Sequence, residues 1–198
     1  MGLSPTTLYL VRHGQSQWNI ERRIQGQTPD IELTDLGREQ AAAVAADLRA
    51  TGARHVISSD LVRARQTAEP IATALGVPLE VDPDLREQAM GEVEGRYSAE
   101  VLAAHPDLDW TDATHRFPGG ESRGEVFDRM ARALTRAAAR PGPVVVVSHG
   151  DAIRLALSWA AGRHVADVAW QDVPNCSIWT VQIPPDRTSN VTPFSARP

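Results

Sequence analysis

The feature that most constrains this chain occurs twice. Leu8-Tyr9-Leu10-Val11 runs into Arg12-His13-Gly14, and far downstream Val144-Val145-Val146-Val147 runs into Ser148-His149-Gly150. Four consecutive apolar residues suit a strand covered on both faces, as in a parallel sheet. Ligands of open α/β sheets bind just beyond the carboxyl ends of such strands. Neighbouring strands lie about 4.8 Å apart, so adjacency of these two would open His13 and His149 onto one crevice, with Arg12 beside them. A single strand-end histidine has an ordinary structural explanation. Two on matched ends, one of them behind an arginine, point to chemistry. Gly14 lets the backbone turn sharply and approach a bound group.

Length and composition narrow what that chemistry can be. The 198 residues suit one domain, 1–198, with a sizeable core. A net charge of −5 lacks the basic excess of a nucleic-acid binder. No apolar run approaches the roughly 18 residues of a membrane span. Residues 1–7 show no secretory pattern, and the lone Cys176 makes no intrachain disulfide, so a cytoplasmic protein is expected. Self-association is compatible with the sequence but nothing specifies it. All 20 cationic side chains are arginines, and no lysine occurs anywhere. That removes P-loop, Schiff-base and kinase-type lysines from consideration. An anion here must be held by guanidinium, imidazole or amide groups, and the planar guanidinium fork suits phosphate.

Between the two histidine strands the chain reads as follows. A polar loop from Gln15 to Pro29 carries Asn19, Gln25 and Gly26, with at most a short helical turn; Asn19 and Gln25 could donate to phosphate oxygens. Thr34 caps a helix with Leu36, Gln40, Val44 and Leu48 on one face, closed by Gly52. A short strand, Val56-Ile57-Ser58, leads to Ser59 or Asp60 as cap of a helix with the stripe Leu61, Ala64, Ala68, Ile71, Leu75. Pro70 sits inside this pattern and should kink the helix or break one of its hydrogen bonds. Arg63, in its first turn, can reach the crevice, whereas Arg65 points elsewhere. Val77 to Val81 reads as a strand. The loop after it holds Glu87, Glu92 and Glu94, and spacing does not choose among them as a proton donor.

Residues 96–121 read as a lid or insertion, with a short helix over Tyr97–Ala104 and Trp110 and Phe117 as apolar anchors. Ser122 and Glu125 form a capping box for a helix ending before Pro141. A further helix closes at Gly162, and Ser177–Ile183 and Val191–Phe194 read as strands. The remaining histidines lack ligand-like spacing, so neither a metal nor another cofactor is expected.

Three motifs in order resemble the histidine phosphatase superfamily, the phosphoglycerate mutase-like group: Leu10-Val11-Arg12-His13-Gly14-Gln15-Ser16, Ser58 through Ala68, and Ser148-His149-Gly150. The resemblance runs from about Leu8 to Ile183. It implies a three-layer α/β/α sandwich with a largely parallel central sheet. It further implies His13 as nucleophile, Arg12, Arg63 and His149 around the phosphoryl group, Asn19 as an extra donor and Glu87 as proton donor. The substrate would be a small phosphorylated metabolite, hydrolysed without metal through a phosphohistidine. Cofactor-dependent mutases of the group have a longer insertion and an aromatic in Glu-Arg-His-Tyr-Gly, where this chain has Glu87-Gln88-Ala89-Met90-Gly91. Only Arg96 and Arg116 are basic between Glu87 and Glu121, which favours the phosphatase branch. A mutase, and a binding module that merely holds phosphorylated ligands, are the alternatives.

Overall fold

The computed structural model describes residues 5–168, 170–184 and 190–193. Six strands form one sheet: β1 (Thr6–Arg12), β2 (His55–Ser58), β3 (Leu79–Val81), β4 (Val144–Ser148), β5 (Ile178–Ile183) and β6 (Asn190–Pro193). Their order is β3-β2-β4-β1-β5-β6. The first four run parallel; β5 is antiparallel to β1, and β6 to β5. Among the described residues six α-helices accompany them: α1 (Gln17–Glu21), α2 (Asp35–Leu48), α3 (Val62–Leu75), α4 (Ser98–Ala104), α5 (Arg123–Ala138) and α6 (Gly150–Ala160).

The three layers follow from the pleat. Alternate residues of a strand face opposite sides, and both sides of the central strands are covered here. Leu8, Leu10, Val144 and Val146 pack against Val126, Met130 and Leu134 of α5 and Ile153 and Leu157 of α6. Val11, Val145 and Val147 pack against Val44 and Leu48 of α2 and Ala64, Ala68 and Ile71 of α3. Each fully buried valine or leucine contributes roughly 1.5–3 kcal/mol, which is why the unbroken valine run sits at the sheet centre. Leu8 pairs with Val144 and Arg12 with Ser148. That register delivers His13 and His149 to the same level, and the His13 amide donates to the Ser148 carbonyl at 3.0 Å.

Local signals behave as their chemistry requires at most ends. Thr34 caps α2 through the Gly37 amide, and Ser122 and Glu125 make a reciprocal capping box on α5. Several boundaries differ from the sequence reading. Neither Ser59 nor Asp60 caps α3. Leu61 stands there without a side-chain bond, because Ser59 pairs with His149 and Asp60 with Arg86. Pro70 does lie inside α3, where the sequence reading put it, and burial of Ile71 and Ala72 outweighs one lost backbone bond. β3 begins at Leu79 rather than Val77. Gly162 closes α6 as expected, following the Ala161 cap with φ of 70° and donating its amide to the Trp159 carbonyl at 2.9 Å.

Leu36 is 48 % exposed, and the buried stripe of α2 is instead Gly37, Ala41, Val44, Ala45 and Leu48. The cause is a close backbone approach. A Cβ on Gly37 would sit 2.0 Å from the Gln15 carbonyl oxygen, and one on Gly14 would sit 2.5 Å from that of Gly37. Two glycines therefore let α2 lie directly on the turn that follows β1. The edge strand β6 is present, although Phe194 lies outside the described residues.

Candidate active site

At the carboxyl end of the sheet lies a cleft of about 390 Å³, its floor formed by Arg12, His13, Arg63 and Glu87. The His13 and His149 rings lie 5.1 Å apart between centroids. His13 is 2 % exposed, and its Nδ1 donates to the Gly14 carbonyl at 2.7 Å. A carbonyl only accepts, so this bond places the ring proton on Nδ1 and leaves Nε2 as a free lone pair. Burial lowers the basicity of His13 well below the ordinary histidine range, and the Arg63 and Arg12 charges lower it further. The ring is therefore neutral at neutral pH.

Each guanidinium of the floor is anchored by backbone carbonyls. Arg12 donates to the Val173 carbonyl at 2.5 Å; Arg63 donates to Gly26 at 2.7 Å and Thr28 at 3.1 Å. Neither is bonded to a carboxylate, and the Nε of both is buried without a partner. Arg63 is fully buried and its pKa falls to about 10 by desolvation, so it stays charged. His149 is also fully buried. Its Nε2 meets Ser59 Oγ at 2.9 Å while its Nδ1 has no partner. A set of buried donors lacking acceptors is costly unless an anion completes it.

Glu87 is the carboxylate that reaches the floor. Its Oε1 accepts from the Gln88 and Ala152 amides at 3.0 Å, and its Oε2 from the Asp151 amide at 3.2 Å. It thereby serves the N-terminus of α6, whose own N-cap, His149, provides no side-chain acceptor. Burial raises its pKa first, and the Asp151 charge adds to this; the amides and Arg63 oppose, and the net shift is upward. Glu94 is occupied differently, binding the Gln27 and Met90 amides and the Thr28 hydroxyl. Glu92 is exposed.

The polar loop behaves less simply than its composition suggests. Asn19 does not face the cleft directly; its Oδ1 takes the Ser16 amide and hydroxyl and the Asn175 Nδ2. Gln25 lines the cleft while its Oε1 takes the Ser16 hydroxyl. Gly26 is needed for space, since a Cβ there would lie 2.0 Å from the Glu94 carboxylate, and its carbonyl anchors Arg63. Cys176 adjoins the floor through its backbone, its amide donating to the Arg12 carbonyl at 3.1 Å, but burial pushes its thiol up to about 12, so it stays protonated. Among the described residues no three His, Cys, Asp or Glu side chains gather as a metal centre would require. No described helix is long and apolar enough to cross a membrane.

With this geometry in hand, comparison with known proteins is decisive at the family level. The model of the histidine phosphatase superfamily (branch 1) matches residues 8–194. The chain belongs to that superfamily. A relative from Erwinia tasmaniensis named probable phosphoglycerate mutase GpmB is 41 % identical over 179 residues, covering 86 % of this chain and 82 % of its own. The protein of the same name from Salmonella paratyphi C is 41 % identical over 181 residues, with the same coverage. Among solved structures, a mycobacterial glucosyl-3-phosphoglycerate phosphatase complexed with VO3 is 32 % identical with a TM-score of 0.88, covering 97 % of this chain and 100 % of its own. YhfR of Bacillus stearothermophilus is 26 % identical with a TM-score of 0.87, covering 98 % of each. The sandwich with its largely parallel sheet is thus the fold of this superfamily.

Several residues of this histidine phosphatase cleft carry no local sequence signal. Arg129 on α5 is buried and donates to the carbonyls of Asp84, Arg86 and Glu87 and to both oxygens of Glu121. Glu121 in turn accepts from Gln27 and the Ala89 amide. This clamp fixes the loop that carries Glu87. Asn175 Nδ2 holds the His13 carbonyl at 3.0 Å. Apart from the Arg129–Glu121 pair, eight positions apart, these contacts span more than 30 positions of sequence, which no short motif can register. From residues 96–121, Ser98, Leu102, Trp110, His115 and Phe117 are among those that line the cleft, beside a small core of Val93, Val101 and Phe117. Trp110 packs its ring against the buried Phe117, with centroids 6.0 Å apart, but it is 37 % exposed and also lines the cleft.

Proposed function

We propose that this protein is a metal-independent phosphatase that hydrolyses small phosphomonoesters through a phosphohistidine on His13. One observation carries the reading: the Gly14 carbonyl fixes the proton of His13 on Nδ1, so Nε2 faces the cleft as a neutral nucleophile. Nε2 attacks phosphorus in line, the bond from phosphorus to the ester oxygen breaks, and Glu87 protonates the leaving alkoxide. Water then attacks the phosphohistidine, giving its proton to Glu87 and releasing inorganic phosphate and the neutral ring. Arg12 and Arg63 meet the charge on the phosphoryl oxygens with donors that have no other acceptor. If the Ser59 hydroxyl donates to His149 Nε2, His149 Nδ1–H is a third such donor. Gln25 and Gly26 line the phosphoryl pocket from the loop above, and Asn19 braces that loop through Ser16 and Asn175.

The upward shift of Glu87 keeps it protonated at higher pH than an exposed glutamate. The account therefore expects kcat/KM to fall on the alkaline side as Glu87 loses its proton, and that limb to vanish in Glu87→Gln.

A mutase reading is supported by the name of the 41 % identical relatives. Both activities begin with the same intermediate and differ in what reaches it next. The segment over the cleft is short, and Asp109, Asp112 and Asp151 stand among its arginines. We expect steady phosphate release from several phosphomonoesters, and negligible exchange of 3- and 2-phosphoglycerate even with the bisphosphate primer. One assay following both products decides: isomer exchange outrunning phosphate release would make this protein a mutase.

A further inference from the structure

The loop after β3 holds three glutamates, and the proposed reaction uses only Glu87. Glu92 is exposed, whereas Glu94 is partly buried and is not among the residues that line the cleft. Both oxygens of Glu94 are nevertheless engaged. Oε1 accepts the Gln27 and Met90 amides, each at 2.9 Å, and Oε2 accepts the Thr28 hydroxyl at 3.1 Å. Two of these three donors belong to one turn, residues 25–28, which the Thr28 amide closes onto the Gln25 carbonyl at 3.1 Å.

The same turn holds a guanidinium through its carbonyls. Arg63 donates to Gly26 at 2.7 Å and to Thr28 at 3.1 Å. The Gly26 carbonyl and the Gln27 amide are the two ends of a single peptide unit. That unit therefore gives its N–H to the Glu94 carboxylate and its C=O to the Arg63 guanidinium. A hydrogen bond to an ionised group is roughly twice as strong as a neutral one, and bonds in a chain polarise one another. The carboxylate makes the Gly26 carbonyl a better acceptor, and the guanidinium makes the Gln27 amide a better donor. Burial lowers the pKa of Arg63, and the charges of Glu87 and then Glu94 counter that fall.

Packing leaves this turn little freedom. Gly26 has φ of 47°, and a Cβ on it would meet Glu94 Oε1 at 2.0 Å. The Gly95 amide donates to the Ile24 carbonyl at 2.9 Å, and the Ile24 amide to the Arg96 carbonyl at 3.0 Å. The segment that carries Glu94 is thus also paired with the residue just before the turn.

We propose that Glu94 is a positioning residue for Arg63, fixing the phosphoryl-binding guanidinium through the Gly26–Gln27 peptide. This deepens the hydrolytic reading and rests on it for the role of Arg63. With its two terminal nitrogens tied to the turn, Arg63 keeps its unpartnered Nε for the phosphoryl group. Glu94 therefore acts on the phosphoryl side of the reaction and Glu87 on the leaving-group side.

A double-mutant cycle between Glu94→Ala and Arg63→Met tests this, read by affinity for orthovanadate and by kcat/KM for two esters. Glu94→Ala should weaken vanadate binding and lower kcat/KM by roughly 10- to 100-fold, within the coupling range of one hydrogen-bond network. The loss should be equal for an alkyl phosphate and for p-nitrophenyl phosphate. In the Arg63→Met background it should shrink to within about threefold. Glu94→Gln, which keeps an acceptor at the same reach, should recover most of the loss. If Glu94→Ala does not fold, Thr28→Val removes a single bond of the grip, and its smaller loss should likewise vanish in Arg63→Met. A loss of the same size with and without the Arg63 side chain, a loss confined to the alkyl phosphate, or vanadate affinity unchanged in Glu94→Ala overturns the assignment. The vanadate arm decides without turnover, so a wild type that binds vanadate yet hydrolyses no ester defeats the phosphatase reading alone.

Discussion

The floor and the rim of the cleft are built by different rules. The floor groups are buried, attached to the ends of β1 and β4 or the first turns of α3 and α6, and anchored by backbone carbonyls and amides. The rim groups come from residues 96–121 and the segment before β5. Trp170 is 79 % exposed and lies 4.0 Å over the Arg154 guanidinium, and Arg116 is more than half exposed beside Glu125. A floor held by main-chain atoms keeps its geometry when loops change. A rim of exposed, neutralised side chains can vary in sequence at little cost in stability. Reaction type therefore belongs to the sheet, and substrate choice to what covers it.

The strongest way to break that contrast is at the floor. His13→Ala should lower turnover by at least roughly 10⁴-fold, as loss of a nucleophile does, while the far-ultraviolet signal and unfolding temperature stay close to wild type. Trp110→Ala at the rim should shift KM among substrates and leave kcat within about tenfold. Equal losses in the two variants would erase the distinction. Glu87→Gln comes next. It should lose roughly 10²–10⁴-fold with alkyl phosphates and far less with p-nitrophenyl phosphate, whose leaving group needs little protonation. Equal damage with both esters at the phosphorylation step would remove Glu87 as the leaving-group acid.

What was legible in the sequence divides along the same line. The strands of β1 and β4 could be read because buried parallel strands need unbroken apolar runs, and their residues supply them. Arg12, His13, Arg63 and His149 stand next to such runs, so their meeting place follows once β1 and β4 are neighbours. Glu87 was not distinguishable by spacing from Glu92 and Glu94. What separates it is its reach to the Asp151 and Ala152 amides, more than 60 residues away. Leu36 was misjudged because the Gly14–Gly37 approach, not hydrophobic period, sets the rotation of α2. Ser59 was misjudged as a cap because its hydroxyl faces His149 from an adjoining strand end.

The comparison sharpens further in stability. Arg129→Met would strand the Glu121 carboxylate and three carbonyls of the Glu87 loop, at a cost of about 3–5 kcal/mol for an opened buried pair. Arg116→Met, at an exposed pair, should leave the denaturation midpoint nearly unchanged. Urea titrations of the two variants check this, and comparable losses would refute a rigid floor beside a tolerant rim. A further effect is on pH. His13 and His149 are held well below the histidine range in the folded chain, chiefly by burial and then by Arg63. The unfolded chain takes up these protons near pH 6.5. Their contribution to stability is thus complete above that pH and is lost as pH falls, by up to about 1.4 kcal/mol per unit for each ring. Unfolding temperatures between pH 7 and 5 should decline, less steeply in His13→Ala; a flat profile for the wild type would contradict the buried neutral rings.

The central claim is the covalent role of His13, and trapping the intermediate tests it most directly. Wild-type protein quenched during turnover of a ³²P-labelled phosphomonoester should carry a label that is stable to base and lost in acid. After proteolysis it should map to the peptide containing Arg12-His13-Gly14, and it should be absent from His13→Ala. A label on a serine or on Cys176, or steady phosphate release by His13→Ala at the wild-type rate, would contradict the account.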